Sequence, residues 1–359
     1  MKKKWKRLSQ KKKIIILLIL VLLLMGVLGF LFKDKIFGSD KKVESKVESK
    51  EPEKPKVKII DENSKSRPYA VMINNNQSVW PYQSGLMKAY MIYELLVEGG
   101  ITREMAMYKD SDVEKIASIR SSRHYFLDYV LENDALYVHW GWSPQAQRDI
   151  SSLGIANING LTYEGKYFFR DNSIRAGYEH RGYSTMSSLK EAAEAKGYRT
   201  TTDEKALLKY TAEPLDFKDS EEAVDAKYVA IRFSDSYQVR FLYNEEKKVY
   251  SRKQNYTDMY DYTSGEEFTA KNIITYKAGY SNIYGDDKGR LNMSNTGSGD
   301  GFYITEGKAV PIKWSKESRG SKTKYTYTNG EELVVNDGNT YIEINPTYKT
   351  TDIQAEIPA

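Results

Sequence analysis

Arginine is the residue type in this sequence whose spacing most clearly suggests binding chemistry. Arg120 and Arg123 lie three positions apart at a predicted helix start, where free N–H groups and the helix dipole favour anions. The guanidinium group adds forked donors that match phosphate and carboxylate. One interpretation is an anion pocket around these two residues, with Arg103 and Arg170 converging on it. The simpler interpretation, which the sequence alone favours, is ion pairing with carboxylates such as Glu94.

His139 is the candidate for proton transfer. It is predicted at the carboxyl end of a strand, where ligands gather in α/β sheets, and its pKa range suits a general base at neutral pH. Ser143 lies close by in the sequence, and the tryptophans between them could stack on a sugar. The alternative, which we favour, is a half-buried histidine beside core tryptophans. No residue is therefore a confident catalytic prediction.

Several other chemistries are disfavoured by composition. The chain has no cysteine, and its three histidines lie 15 and 41 residues apart, so we predict no metal site. We expect no cofactor, because the glycines at 297, 299 and 301 lack the ending of a phosphate loop and are predicted to form a turn. Residues 1–13 hold eight cations, and the rest of the chain has 46 basic and 49 acidic residues. Nucleic-acid binders carry a basic domain, so no nucleic-acid partner is predicted.

Residues 14–32 form an uncharged apolar run, IIILLILVLLLMGVLGFLF, that is long enough to span a bilayer. The basic residues 1–13 should stay in the cytoplasm. We therefore predict a single-pass protein of the plasma membrane, with most of its mass on the extracytoplasmic side. A cleaved signal peptide is the rival interpretation, but its apolar region is shorter and ends in small residues. Residues 33–66 are rich in Lys, Glu, Ser and Pro and are predicted to be a disordered stalk.

The remainder is predicted to be α+β, in two domains. Residues 67–212 interleave strands with helices, which indicates an α/β domain. Ser121-Ser122 are predicted to cap a helix through Glu132, Ser143 a second helix, and Ser184 or Thr185 a third. A short fourth helix is expected over 201–210. Residues 89–110 fit either two strands around Gly99-Gly100 or a helix followed by a strand.

Residues 225–347 have a different pattern. Short apolar runs alternate with turn pairs such as Asn329-Gly330 and Asp337-Gly338, which predicts a mainly β domain, a sandwich or barrel. One helical piece is expected over 264–271. Aromatic residues on this sheet could line a groove for glycan or peptide: Tyr250, Tyr256, Tyr260, Tyr262, Trp314, Tyr325 and Tyr327. The alternative, which we favour, is cross-strand pairing of aromatics, which stabilises sheets by itself.

Five runs in the first domain occur in an order that resembles a known family: RPYAVMINN, YELLVEGGITR, IRSSRHYFLDYV, YVHWGWSPQA and YFFRD. They are similar to the YerB-like family of bacterial envelope proteins (DUF3048), and TYIEINP resembles the closing strand of its second half. Members of that family are commonly lipoproteins, whereas this chain has no cysteine to accept a lipid. The resemblance implies no settled biochemical activity.

These observations favour a membrane-anchored, non-catalytic protein that binds another envelope protein or a wall component, and that regulates wall metabolism. The alternative is an enzyme or carrier that acts on an anionic, phosphate-bearing wall intermediate, with Arg103, Arg120 and Arg123 holding the anion and His139 moving protons. A purely structural surface protein is the third possibility.

Overall fold

The computed structural model describes residues 55–358 continuously, together with the isolated positions 11, 15, 19, 21 and 23. The predicted basic tail, the anchor over residues 14–32 and most of the stalk lie outside the described residues, apart from these positions. Among the residues that are described, no helix has both the length and the apolar character needed to cross a membrane. Residues 55–359 form a compact unit of their own, with two internal hydrophobic clusters.

Ordered contacts begin earlier than the sequence predicts, so the stalk prediction is wrong for residues 58–66. The backbone N–H groups of Lys58 and Ile59 donate to the carboxylate of Asp337, at 2.8–3.0 Å. Ile60 is buried. A polar-rich segment is ordered here because its backbone finds partners on the folded unit.

The described chain contains twenty-three strands and four α-helices. The helices are α1 (Leu127–Glu132), α2 (Pro144–Ser152), α3 (Gly160–Tyr163) and α4 (Met186–Ala195). The strands up to residue 211 are β1 (Tyr69–Asn74), β2 (Met91–Leu96), β3 (Thr102–Tyr108), β4 (Ile116–Ala117), β5 (Leu136–His139), β6 (Asn157–Asn159), β7 (Phe169–Arg170), β8 (Gly182–Ser184) and β9 (Lys209–Thr211). Those that follow are β10 (Val224–Asp225), β11 (Tyr228–Arg232), β12 (Gln238–Asn244), β13 (Val249–Gln254), β14 (Thr257–Asp258), β15 (Thr269–Ala270), β16 (Asn272–Asn282), β17 (Leu291–Ser294), β18 (Gly297–Thr305), β19 (Lys308–Lys316), β20 (Lys324–Tyr327), β21 (Val334–Asn336), β22 (Thr340–Pro346) and β23 (Thr351–Gln354).

A twelve-stranded sheet joins the two segments that the sequence separates. Its main path runs β10-β19-β18-β16-β22-β2-β3-β1-β5-β6, with β17 and β20 attached to β16 and β19. The junction is the parallel pairing of β2 with β22. Every residue of β22 is buried, so this strand needs neighbours on both edges, and β16 and β2 supply them. The segments 67–212 and 225–347 therefore share one sheet.

A second sheet of six strands, ordered β14-β13-β12-β11-β23 with β15 beside β13, packs on one face of the large sheet. Val229 and Phe241 of this sheet share a core with Ile92 and Tyr341 of the large one. Helices α1 and α2 cover the other face. The fold is α+β with a β-rich second segment, as predicted, and the α-helices of residues 55–358 all lie in the first segment. The second segment divides its strands between both sheets.

Local predictions hold where a cap or turn decides them. The Oγ of Ser143 accepts from Ala146 N at 3.1 Å, and the Oγ1 of Thr185 accepts from Ser188 N at 3.0 Å. Both predicted helix starts are thus confirmed. The ambiguity over residues 89–110 resolves as two strands, with Gly99 and Gly100 at positive φ between them.

Three local predictions are wrong. Residues 201–210 form no helix, because Thr201 pairs with Ser66 and the hydroxyl of Thr202 donates to Asp134. Residues 264–271 form a turn and β15 rather than a helix. The glycine-rich stretch from residue 297 is not a turn but the start of β18, where Gly299 makes room for the ring of Trp314.

Candidate functional site

The candidate site lies at the carboxyl end of β1. Strands β1, β5 and β6 run parallel, so their carboxyl ends meet at one edge of the sheet. The segment after β4 crosses this edge: Ser118 O accepts from Asn74 N at 2.8 Å, and Met72 O accepts from Arg120 N at 2.9 Å. Arg103 of β3 lies opposite Asn74 in the antiparallel pairing of β1 with β3. The topology therefore brings Arg103 and residues 118–123 together.

Glu98 holds two of the arginines. The Nε of Arg123 donates to Glu98 Oε2 at 2.8 Å, and its Nη2 contacts Glu98 Oε1. Arg103 reaches the same Oε1 at 3.4 Å and donates to Ser121 O at 2.7 Å. Burial opposes ionisation of Glu98, but the hydrogen bond from Arg123 and the two positive charges lower its pKa to about 2. This carboxylate is thus charged and fixes two guanidinium groups in place.

Arg120 completes the group, and its guanidinium is only half-buried. Its Nη1 donates to the backbone O of Glu179 at 3.0 Å. Among the described residues, no carboxylate lies within ion-pair distance of it. Arg120, Arg103, Arg123 and Glu98 are called the arginine cluster below. It brings together three guanidinium groups and one inward carboxylate.

The arginine cluster lacks the helix N-terminus that was predicted to contribute to an anion pocket. Arg123 precedes a 3-10 turn at His124–Phe126, which leads into the six-residue helix α1. The expected helix start at Ser121-Ser122 is therefore wrong, and the helix contributes little to the site. Anion attraction rests on the guanidinium groups themselves. Burial and the charge of Arg123 lower the pKa of Arg103 to about 9, which leaves it charged at neutral pH.

Arg170 lies at the margin of the cluster. It forms a two-point ion pair with Glu164, at 2.9 and 3.2 Å, and donates to Tyr178 O at 2.8 Å. Its guanidinium also stacks over the ring of Trp140, 4.0 Å from the centroid. Arg170 and Arg120 thus both hold the backbone of the turn Tyr178–His180. For Arg170, the predicted ion pairing describes the structure better than an open pocket.

Sequence reasoning missed His180, which the same turn brings to the cluster. Its Nδ1 lies 2.8 Å from Nδ2 of Asn74, an amide donor, so Nδ1 accepts and Nε2 bears the proton. Burial and the charge of Arg120 lower the pKa of His180. The half-buried ring is therefore neutral, and its Nε2 lies 3.5 Å from Oε1 of Glu179. Asn74 and His180 lie 106 positions apart in the chain, so local sequence patterns do not reveal their contact.

His139 and Ser143, by contrast, have structural roles. His139 is fully buried, with Nδ1 2.8 Å from Gly141 O and Nε2 3.2 Å from Oδ1 of Asn157. Burial lowers its pKa to about 4. Ser143 is buried and caps α2. Protein groups occupy both ring nitrogens, so the geometry disfavours the predicted general base.

Glu94 does not belong to the arginine cluster but to a second charged group inside the core. Glu104, Glu94 and Glu343 stand side by side on β3, β2 and β22. Nη2 of Arg252, from β13, lies 2.6 Å from Glu94 Oε2 and 3.1 Å from Glu104 Oε1. All four side chains have no solvent exposure. They are called the glutamate row.

The row holds three carboxyl groups and one guanidinium. Both oxygens of Glu343 lack a hydrogen-bond partner among the described residues, as does Oγ1 of its neighbour Thr275. Burial and the charge of Glu94 hold the pKa of Glu343 well above its usual range. Burial likewise raises the pKa of Glu104 to about 7, although Arg252 opposes this. The row is therefore partly protonated at neutral pH.

Two adjacent asparagines connect the arginine cluster to the glutamate row. The side chain of Asn74 contacts His180, which lies beside the arginine cluster. The next residue, Asn75, donates from Nδ2 to Glu94 Oε1 at 3.1 Å and to Thr102 Oγ1 at 2.9 Å. In residues 55–358, no three His, Cys, Asp or Glu side chains are arranged to hold a metal ion.

The aromatic groove predicted on the second segment splits into two sets. Tyr250, Trp314 and Tyr325 are buried, and Tyr276 packs on Trp314 with ring centroids 4.6 Å apart. Others are exposed: Tyr256 by 82%, Tyr260 by 50% and Tyr262 by 44%. The guanidinium of Arg240 covers the ring of Tyr256 at 3.4 Å. Only the exposed set remains available for the predicted glycan or peptide contact.

Comparison with known proteins gives a consistent result. Residues 57–199 match the N-terminal domain, and residues 229–342 the C-terminal domain, of the family described as protein of unknown function (DUF3048). A Bacillus subtilis (strain 168) protein described as "Putative lipoprotein YerB" is 29% identical over 287 residues, which cover 80% of this chain and 83% of that protein. The crystal structure of YerB protein from Bacillus subtilis has a TM-score of 0.70 and 26% identity, and the match covers 80% of this chain and 94% of that one. The order of sequence motifs, the shared fold and both family models agree: this chain belongs to the YerB-like DUF3048 family.

Proposed function

We propose that this protein is a membrane-anchored, extracytoplasmic binding protein of the bacterial cell envelope, and that it binds an anionic group of its partner through the arginine cluster. The partner is another envelope protein or a component of the wall. The observation that supports this proposal best is the imbalance of three guanidinium groups against one carboxylate at the edge of the sheet.

The proposed location at the membrane is supported by the description of a related protein. The related Bacillus subtilis protein is described as a lipoprotein, and lipid attachment would hold such a protein at a membrane. The present chain has no cysteine, so its attachment would depend on the apolar residues 14–32 instead. The basic residues before that run favour a cytoplasmic N-terminus.

The ligand class follows from the geometry of the arginines. Glu98 holds Arg103 and Arg123 in place, so these two groups need little reorganisation on binding. Arg120 has spare donors, since among the described residues only its Nη1 makes a hydrogen bond. Guanidinium forks bind phosphate and carboxylate through two parallel hydrogen bonds. A phosphate or carboxylate group on the partner therefore fits this site.

The binding test uses residues 55–359, which form a compact unit. Titration calorimetry with inorganic pyrophosphate should detect one site per chain. Arg120→Gln should weaken the affinity about tenfold, since a charged hydrogen bond is worth about 1.5–3 kcal/mol. The exposed Arg148→Gln on α2 is the matched control and should leave affinity unchanged. Equal affinities for wild type and Arg120→Gln would refute the anion site.

A second candidate function is an enzyme or carrier for a phosphate-bearing wall intermediate. His180 favours it, because the Nε2–H of a neutral imidazole beside Arg120 can donate a hydrogen bond to a phosphate-ester oxygen and stabilise the negative charge that develops there. If the site is catalytic, His180→Gln should abolish turnover of a phosphate ester while leaving pyrophosphate affinity within about twofold. Binding without any turnover, in both proteins, supports the non-catalytic function.

The location has its own test. Full-length protein should fractionate with membranes, and protease added to cells stripped of their wall should digest the folded unit. A chain that remains in the cytosolic fraction, or that is protected from external protease, would contradict the proposed orientation.

A further inference from the structure

A cleft of about 860 Å³ lies outside the arginine cluster, and none of the cluster's residues lines it. Three segments form its walls: residues 60–63, residues 204–209 and residues 322–333. Its size lies within the usual range of small-molecule sites, roughly 300–1,000 Å³. The cleft is therefore a separate candidate for binding.

Hydrogen bonds within the protein hold the walls of the cleft in the absence of a ligand. Strand β9 pairs with β21, and Leu333 N donates to Tyr325 O at 2.9 Å across the hairpin that follows β20. The first wall is held by the bonds from Lys58 and Ile59 to Asp337. Because hydrogen bonds anchor the chain at Lys58 and Ile59, in β9 and across the hairpin after β20, a ligand would meet a largely formed site.

The floor of the cleft is apolar. Ile60, Leu208 and Leu333 are buried, and Ala206 and Leu207 are half-exposed. The edges of β20 cannot accept an added peptide strand, because β19 pairs on one side and residues 331–333 on the other. Among the described strands, β9 pairs with β21 alone, so an added peptide strand would have to use the other edge of β9, whereas an alkyl chain needs only the apolar floor.

The rim is basic. Five lysines and three glutamates line the cleft: Lys109, Lys205, Lys209, Lys322, Lys324, Glu62, Glu204 and Glu332. Lys322 pairs with Glu204 at 2.9 Å, and Lys324 pairs with Glu317 at 3.1 Å. Lys205 and Lys209 have no ion pair among the described residues. Glu62 and Glu332 are likewise without an ion pair among the described residues, so the lining as a whole has a surplus of two lysines over glutamates above an apolar floor.

We propose that this cleft binds a single-chain amphiphilic anion, with its alkyl tail on the apolar floor and its head group at Lys205 and Lys209. The apolar floor removes the tail from water. The lysines can reach the head group while their own methylene stems stay on the floor. The site is independent of the arginine cluster, and either proposal can fail alone.

The test uses residues 55–359 and dodecyl phosphate below its micelle concentration. Calorimetry in saturating pyrophosphate, which occupies the arginine cluster, should show one molecule of dodecyl phosphate bound per chain. Inorganic phosphate, which has no tail, and dodecyl maltoside, which has no charge, should each bind at least about tenfold more weakly, because each lacks one of the two contributions. Arg120→Gln should not change dodecyl phosphate binding, which separates this site from the arginine cluster.

The charge variant is Lys205→Gln with Lys209→Gln. Both residues are exposed, so folding should be preserved, and affinity for dodecyl phosphate should fall about fivefold or more, from two surface charges worth about 0.5–1 kcal/mol each. The matched control is Lys190→Gln with Lys277→Gln, two exposed lysines outside the cleft, which should bind like the wild type. Three outcomes would overturn the proposal: equal binding of dodecyl maltoside, no effect of the cleft variant, or binding of anionic vesicles without binding of the monomeric amphiphile.

Discussion

The arginine cluster and the glutamate row have the same three-to-one ratio of charged groups, with the signs reversed. Each gathers three groups of one charge and one of the other: Glu98 among guanidinium groups in the cluster, and Arg252 among carboxyl groups in the row. Asn74 and Asn75, adjacent in β1 and just after it, connect to one each. The two regions therefore differ in chemistry and exposure, not in location.

Exposure decides what the surplus charge can do. At the cluster, Arg120 is half-buried and reaches water, so an unbalanced cation is tolerated and can attract an anion. In the row, every side chain is sealed from solvent. A buried net charge is very costly, so the row must take up protons instead. The same ratio of charges thus indicates a ligand site at the surface and a protonation site in the core.

The largest effect should come from removing the row's only cation. Arg252→Met leaves Glu94, Glu104 and Glu343 facing one another in the core, and we expect a loss of about 3–5 kcal/mol in the free energy of unfolding. Urea denaturation measures it. The surface variant Arg148→Met should change stability by less than about 0.5 kcal/mol. If Arg252→Met costs no more than this control, the row is not a charged group held by Arg252.

The next effect is the pH dependence of stability. The pKa of Glu104 is about 7 in the folded protein and 4.5 as its ordinary value, so folding favours the protonated acid. This contribution is present below the ordinary pKa and is lost as pH rises through about 7. The free energy of unfolding should therefore fall relative to Glu104→Gln by about 1–3 kcal/mol between about pH 5 and about pH 8.

The contribution of His139 to stability changes with pH in the opposite direction, because burial lowers its pKa. Wild type and Glu104→Gln both contain His139, so this contribution cancels when their free energies of unfolding are subtracted. Parallel pH profiles for the wild type and Glu104→Gln would show that the row does not bind protons near neutrality.

A smaller effect, on pyrophosphate affinity, should follow from increasing the surplus of positive charge in the arginine cluster. Glu98→Gln removes the one inward carboxylate and frees donors of Arg103 and Arg123. Pyrophosphate affinity should rise about fivefold, on the order of 1 kcal/mol, while stability falls because two buried guanidinium groups lose their partner. Calorimetry on the folded variant measures the affinity. An unchanged or weaker affinity would mean that Glu98 does not compete with the ligand.

The smallest effect is the different response of the arginine cluster and the glutamate row to ionic strength. Raising ionic strength from about 0.05 to about 0.5 M should weaken pyrophosphate binding several-fold, because exposed charges are screened. The stability difference between wild type and Arg252→Met should change by less than about 0.5 kcal/mol, because buried charges are screened far less. An equal salt response at both regions would contradict the difference in exposure.

The sequence predicts this fold best where a few adjacent residues decide the structure. Ser143 and Thr185 cap helices as expected, and Gly99-Gly100 forms the turn between two strands. The prediction of a helix over 201–210 failed because Thr201 pairs with Ser66, far away in the chain. Capping patterns identify local possibilities, and a distant strand partner can override them.

The charged regions were predictable to different degrees. The arginines near residues 120–123 could be grouped because their spacing is local, whereas His180 arrives through a separate turn. The glutamate row could not be predicted at all. It depends on the register of β2 against β22, strands about 250 residues apart in the chain, and on an arginine from another sheet. No pattern within one strand specifies such a register.

The position of β22 has a consequence for how the chain folds. This strand lies between β2 and β16 in the middle of the large sheet, so the edges of both neighbours stay unpaired until residues far along the chain arrive. Contacts of such long sequence separation slow folding, and unpaired apolar edges invite pairing with other molecules. Pulse-labelled hydrogen exchange during refolding should show β2 and β16 becoming protected together and late, when β22 inserts.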